Sequence, residues 1–182
     1  MPAAASPAGG NRPLSLTVFD DGKRGHRRQC EGLTAALAER IPLDVTIVPA
    51  PRLHDLPRAL ARLRRRPPDL VIGAGHGTHL ALAACRPLRR PRTIVLMKPS
   101  LPVRAFDLVI APAHDALAPG PRTLTSEGPL CPFPAAQGPR AAGSVLVLVG
   151  GPSPHFEFDA ARLADRLDML LRARAGCEIT LA

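Results

Sequence analysis

Five loops of this chain bring together residue types that could handle an anion or a proton. In Asp20-Asp21-Gly22-Lys23-Arg24-Gly25-His26, Lys23 and Arg24 supply cations and Gly25 supplies turn freedom. His26 supplies an imidazole that the positive start of a helix keeps neutral, as a general base requires. A solvated basic turn accounts for the same residues, and spacing alone leaves both readings open. In Gly73-Ala74-Gly75-His76-Gly77-Thr78-His79, Gly73 and Gly75 let a ligand approach the backbone, and Thr78 is the expected N-cap of a helix over His79–Cys85. His76 and His79 stand at i,i+3, but no carboxylate or further His is close in sequence. One crevice His and one helix His is the preferred reading, with no metal. This stretch is neither G-x-x-x-x-G-K-[ST] nor G-x-G-x-x-G, so no mononucleotide or dinucleotide fingerprint is present.

Ser100, inside Lys98-Pro99-Ser100-Leu101-Pro102, offers a hydroxyl on a loop stiffened by prolines. It lacks the G-x-S-x-G surroundings of a nucleophilic serine. For His114 beside Asp115 a helix cap is the preferred reading over substrate binding. The last loop, Gly150-Gly151-Pro152-Ser153, follows the apolar run Val145–Val149 and precedes a helical pattern that begins at Asp159. A strand, a small-residue turn and a helix start direct free N–H groups and a positive helix end at one point, a cradle suited to a phosphate or diphosphate. Taken alone, the same residues make an ordinary βα turn.

The elements that must hold these loops alternate along the chain. Strands are expected at Leu14–Asp20, Asp44–Val48, Asp69–Ala74, Thr93–Met97, Leu108–Ala111, Val145–Val149 and Glu178–Leu181. Between them, apolar residues recur at helical spacing over Gln29–Ile41, around Leu56, Leu60 and Leu63, and through Leu163, Leu167, Leu170 and Leu171. This alternation predicts an α/β fold with a doubly wound parallel sheet, whose ligand crevice lies at the carboxyl ends of the strands. Every loop singled out above falls at that end. Residues 1–13 read as a disordered tail and 14–118 as a Rossmann-like domain. The Pro- and Gly-rich stretch 119–143 reads as a linker, and 144–182 as part of a second α/β domain. That last piece is roughly 40 residues, below the ~50 at which domains usually begin. A truncated form of a longer two-domain protein is therefore expected, with catalysis in doubt if the truncation is natural.

The formal net charge of +9 invites a nucleic-acid reading. It is discounted, because the lysines are only Lys23 and Lys98 and the remaining charge is arginine, as in a GC-rich bacterial genome. Without Trp or Tyr, platforms for stacking bases are scarce. The one dense cluster, Arg62-Leu63-Arg64-Arg65-Arg66, ends a helical pattern, where cations suit the dipole. Such a surface also favours acidic partners such as nucleotide sugars or anionic headgroups. Cys30, Cys85, Cys131 and Cys177 show no C-x-x-C spacing and are expected as reduced thiols. The N-terminus has no signal-peptide pattern and no apolar run approaches the ~20 residues of a membrane span. The expected location is the cytoplasm, with peripheral contact at the inner membrane.

Six segments in this order carry a resemblance: Asp21-Gly22-Lys23-Arg24-Gly25-His26 with Gln29 and Gly32-Leu33; Val71-Ile72-Gly73-Ala74-Gly75 with Thr78-His79-Leu80; Leu96-Met97 with Pro99-Ser100-Leu101-Pro102; Phe106-Asp107-Leu108; Pro112 with His114-Asp115; and Gly150-Gly151-Pro152-Ser153 with His155-Phe156. Together they closely resemble the family named after the plant mitochondrial-fission factor Elm. Its bacterial members are described as glycosyltransferases or, loosely, as nucleoside-diphosphate-sugar epimerases. The resemblance implies a two-domain glycosyltransferase-B-like fold. Its N-terminal domain would hold an acceptor, lipid-linked in similar enzymes, and its C-terminal domain would bind a nucleoside-diphosphate sugar near Gly150, Gly151 and Ser153. It also implies His26 as base or oxyanion partner, with Lys23, Arg24, Gly25, Gly73, Gly75, Thr78, Ser100 and His114 around the substrates. No metal or other cofactor is implied, and no D-x-D stands in the chain to hold one. Two alternatives share the architecture: a non-catalytic, membrane-associated scaffold and a cofactor-free sugar-nucleotide epimerase. An NAD-dependent epimerase would need Tyr-x-x-x-Lys, and the chain has no Tyr.

Overall fold

A computed structural model describes residues 12–132, 143–149, 157–174 and 176–181. The chain divides into two compact units, Met1–Pro134 and Ala135–Ala182. The first is built on strands β1 (Leu14–Asp20), β2 (Leu43–Pro49), β3 (Leu70–Ala74), β4 (Arg92–Leu96), β5 (Leu108–Pro112) and β6 (Thr123–Ser126). Helices α1 (Arg24–Ala38), α2 (Leu56–Arg65) and α3 (His76–Cys85) connect the first four strands. The sheet is parallel throughout, in the order β2-β1-β3-β4-β5-β6. This is the doubly wound, Rossmann-like α/β arrangement that the alternating pattern predicts.

Alternation of side chains divides the core between the two faces of the sheet. Leu16, Val18, Ile72, Leu96 and Ile110 pack with Cys30 of α1 on one face. Phe19, Val71, Val95 and Val109 pack with Leu63 of α2 and Ala81 and Leu82 of α3 on the other. Both buried thiols, Cys30 and Cys85, are pushed up by loss of solvent, to about 12 and about 11, so they behave as packing groups.

The amino ends of the strands are pinned by two carboxylates. Asp69 accepts from the Ser15 amide and hydroxyl, each at 2.9 Å, and pairs with Arg12 and Arg90. Burial opposes its charge, but the Ser15 bonds and the two guanidinium groups outweigh it and hold the carboxyl at about 2. Asp107 accepts from the Thr93 amide at 2.9 Å and pairs with Arg86 and Arg92. With that end of the sheet pinned by ion pairs, the loops at the carboxyl ends are left for chemistry.

The sheet reaches further than the sequence suggests. Residues 123–126, inside the stretch read as linker 119–143, form β6 and pair with β5 from Val109↔Thr123 to Pro112↔Ser126. The chain then crosses α1 at Gly32, where an added Cβ would lie 2.7 Å from the backbone N and C of Cys131. Leu130, one residue earlier, packs on the α1-side core. Gly32→Ala removes a helix-interior glycine, which by itself stabilises by about 1 kcal/mol. The overlap with Cys131 lies against backbone rather than a yielding side chain, and overpacking of this kind costs about 1–3 kcal/mol. A net loss of stability in urea melts is the expected result; a gain would show that residues 130–131 do not sit on α1.

In the second unit, β7 (Ser144–Val147) and β8 (Glu178–Leu181) pair in parallel, joined through α4 (Ala160–Ala173). Asp159 caps α4, accepting from the Arg162 amide at 2.9 Å. Gly150, Gly151 and Ser153 lie outside the described residues. No helix among the described residues is long and apolar enough to cross a membrane.

Candidate functional site

The strand order reverses between β1 and β3. After β1 the chain leaves through α1 toward β2, and after β3 it leaves through α3 toward β4. Loops that diverge in this way open a crevice, the position where doubly wound sheets bind ligands. Here the β1–α1 loop holds Asp21 and α1 holds His26, while the β3–α3 turn holds Gly75 and α3 holds Gly77.

His26 Nδ1 lies 2.7 Å from Asp21 Oδ2. An ionised carboxylate only accepts, so the pairing directs an Nδ1–H at Asp21; in a neutral imidazole held this way Nε2 is the lone-pair acceptor. The Asp21 side chain is 7% exposed and that of His26 19%, so the pair is sheltered yet reachable. Its seat is made of glycine. Gly75 has φ +81, and a Cβ there would overlap the His26 ring; a Cβ on Gly77 would lie 2.8 Å from Asp21 Cβ. Only a bare backbone allows α3 to begin beneath the pair. The starts of α1 and α3 therefore meet at one place, where their positive ends favour negative charge.

The turn before α1 is fixed by its two aspartates. Asp20 Oδ1 accepts from the Gly22 amide at 3.0 Å, and Asp21 Oδ1 accepts from the Lys23 amide at 3.1 Å. Asp20 is also held by Arg27, whose bond is the main reason its carboxyl is lowered. Asp21 thus spends one oxygen on shaping the turn and the other on orienting His26.

A second histidine lies behind the first. His79 is 2% exposed, and its Nδ1 is 2.8 Å from Ser100 Oγ and accepts from the Ser100 amide at 3.2 Å. Its ring meets His76 edge-on at 5.3 Å and Phe106 at 6.1 Å between centroids. Burial, and after it the neighbouring His76 and His26, lower His79 to about 4, with Asp21 opposing. Among the described residues, no three His, Cys, Asp or Glu side chains converge so as to hold a metal ion.

The sequence profile of the family described as Mitochondrial fission ELM1 matches residues 24–182. The chain belongs to the mitochondrial fission ELM1 family. No curated protein and no solved structure matches it.

In this ELM1-family protein the expected site residues fall into three groups. His26 and Gly75 are in contact at the crevice, and Lys23, Arg24 and Gly25 are exposed beside them. Lys23 is the N-cap of α1 and Arg24 its first residue, because the helix starts well before the expected Gln29. Gly73, Thr78 and Ser100 have other work. A Cβ on Gly73 would lie 2.8 Å from Thr78 Cβ and Oγ1, so this glycine serves close packing of β3 on α3 rather than approach of a ligand. Thr78 is not an N-cap: Gly75 caps α3, and Thr78 is its buried third residue, donating its hydroxyl to the Gly75 carbonyl at 2.9 Å. Ser100 locks His79. His114 stands apart, its side chain 65% exposed and 3.9 Å from Asp115, which itself accepts from the Lys98 amide at 2.9 Å. The residue that sequence reading passed over is Asp21. A carboxylate five positions before a histidine at a helix start was the available signal.

Proposed function

We propose that this protein is a glycosyltransferase that moves a sugar from a nucleoside-diphosphate sugar to an acceptor hydroxyl, with His26 as general base and Asp21 as its orienting partner. The observation that carries the reading is the Asp21–His26 pair seated on Gly75 at the reversal of strand order. The class of donor rests on the loop resemblances alone. In the reaction, the acceptor hydroxyl gives its proton to His26 Nε2 as its oxygen bonds to the anomeric carbon. The bond from that carbon to the diphosphate oxygen breaks, and the nucleoside diphosphate leaves with the electron pair. Asp21 remains ionised and steadies the imidazolium that forms. The exposed Lys23 and Arg24, with the two helix starts, make the surroundings of the pair positive.

The diphosphate cradle of this reading is Gly150–Ser153. The test uses a panel of nucleoside diphosphates and their sugars with the full chain. Saturable binding is expected, weakened by about tenfold or more in Gly151→Asp, which sets a carboxylate against the diphosphate. Equal binding by the two proteins, or binding by neither, would remove the donor class from the proposal.

A further inference from the structure

A separate cleft of about 1220 Å³ runs along β1 and β2 beside α2, on the sheet face opposite α1. Its position follows from how α2 packs. Leu56, Leu60 and Leu63 fix one stripe of α2 to the core below. Arg58, Arg62, Arg65 and Arg66 bound the cleft from α2 and its end. These arginines span about 10 Å along the helix. None of the four side chains has an ion-pair or hydrogen-bond partner among the described residues, so their charge is available to a ligand.

The floor of the cleft is polar: β1 and the largely exposed edge strand β2 line it with Ser15, Thr17, Asp44 and Thr46. Ser15 is engaged with Asp69; the hydroxyls of Thr17 and Thr46 have no partner among the described residues. A merely solvated basic helix face needs neither a cleft nor a floor of hydroxyls. Phosphate recognition uses both, with guanidinium forks for the charge and hydroxyls for the remaining oxygens. Two carboxylates, Asp44 and Asp55, also line the cleft. They would repel a bare polyphosphate, but they accept from hydroxyl groups.

From this juxtaposition we infer that the α2–β1–β2 cleft is a binding site for a phosphorylated polyol, with Arg58, Arg62, Arg65 and Arg66 on its phosphates and Asp44 on its hydroxyls. The site is independent of the Asp21–His26 pair, and its test reads binding alone.

Fructose bisphosphate and inorganic pyrophosphate are titrated into the full chain by calorimetry. Phosphatidylglycerol vesicles, with phosphatidylcholine vesicles as reference, are tested by co-sedimentation. The sugar bisphosphate is expected to bind more tightly than pyrophosphate. Arg62→Gln with Arg65→Gln should weaken it at least tenfold, while the exposed Arg104→Gln leaves it unchanged. Asp44→Asn is the deciding variant: it should weaken the sugar phosphate and strengthen pyrophosphate. Binding confined to phosphatidylglycerol vesicles, and lost in the double variant, would identify the polyol phosphate as a lipid headgroup rather than a free metabolite. No binding in either arm, equal loss with Arg104→Gln, or a gain for both free ligands in Asp44→Asn would overturn the assignment. Circular dichroism of each variant excludes loss of fold as the cause.

Discussion

His26→Ala is expected to lower the rate of sugar transfer by roughly 10²–10⁴-fold, the usual contribution of a positioned general base. Asp21→Asn should lose about as much although the imidazole remains. An amide at that position can present its NH₂ to Nδ1, which stabilises the tautomer with the proton on Nε2 and removes the lone pair that the reaction needs. The loss should fall on kcat rather than KM, because neither change touches the cradle proposed for the donor. Two readouts separate this from damage to the fold. Asp21→Asn also keeps an oxygen for the Lys23 amide, so urea stability should change by no more than about 1–2 kcal/mol. The double variant should be no slower than either single one, since the two residues act as a unit. Losses that multiply, or turnover indifferent to His26, would return the protein to the scaffold reading, in which fold and crevice persist without chemistry.

Periodicity made most of the architecture legible. The alternation of apolar strands with leucine-spaced helices set the parallel sheet and located the loops at its carboxyl end, because burial on both faces leaves a strong pattern in the chain. It did not reveal β6. Thr123–Ser126 is four residues between Pro- and Gly-rich segments, an edge strand held by pairing to β5 more than by its own composition. The site was legible as a set of loops but not as contacts. Gly73 and Gly75 look alike in sequence; only the +81 φ of Gly75 and the ring lying over it separate the seat of the Asp21–His26 pair from a packing position. His79 and Ser100 are 21 residues apart, and nothing local joins them. Asp21 and His26 are close in sequence, yet their pairing depends on α1 starting at Arg24, earlier than the apolar pattern indicates. A first turn of Arg24, Gly25 and His26 has no apolar residue to announce it.

The coupling of His79 to folding gives the second large effect, a loss of stability in mild acid. Its Nδ1 already receives the Ser100 amide, so a proton there would set donor against donor, and Nε2 is buried without a partner among the described residues. Burial above all, and after it the neighbouring His76 and His26, keep this ring neutral in the folded protein down to about 4, against 6.5 for a free histidine. Between those values the unfolded chain binds the extra proton, so stability rises with pH across the window and is lost as pH falls through it. The full contribution is present above 6.5, and by pH 4 the loss should be on the order of 3 kcal/mol. The aspartates act in a different range: Asp69, held at about 2 against 3.8, gives up its share only below that upper value. Acid unfolding should thus proceed in two windows, the first belonging to His79. His79→Asn places an amide oxygen where Nδ1 accepts and removes the titration. It should be less stable than the parent at neutral pH because packing against Phe106 is lost, yet nearly flat from 6.5 to 4. Urea midpoints for both proteins across that range decide the matter. A parent curve as flat as that of the variant would mean that His79 takes up its proton in the folded state without penalty, and that its burial does not hold the ring neutral.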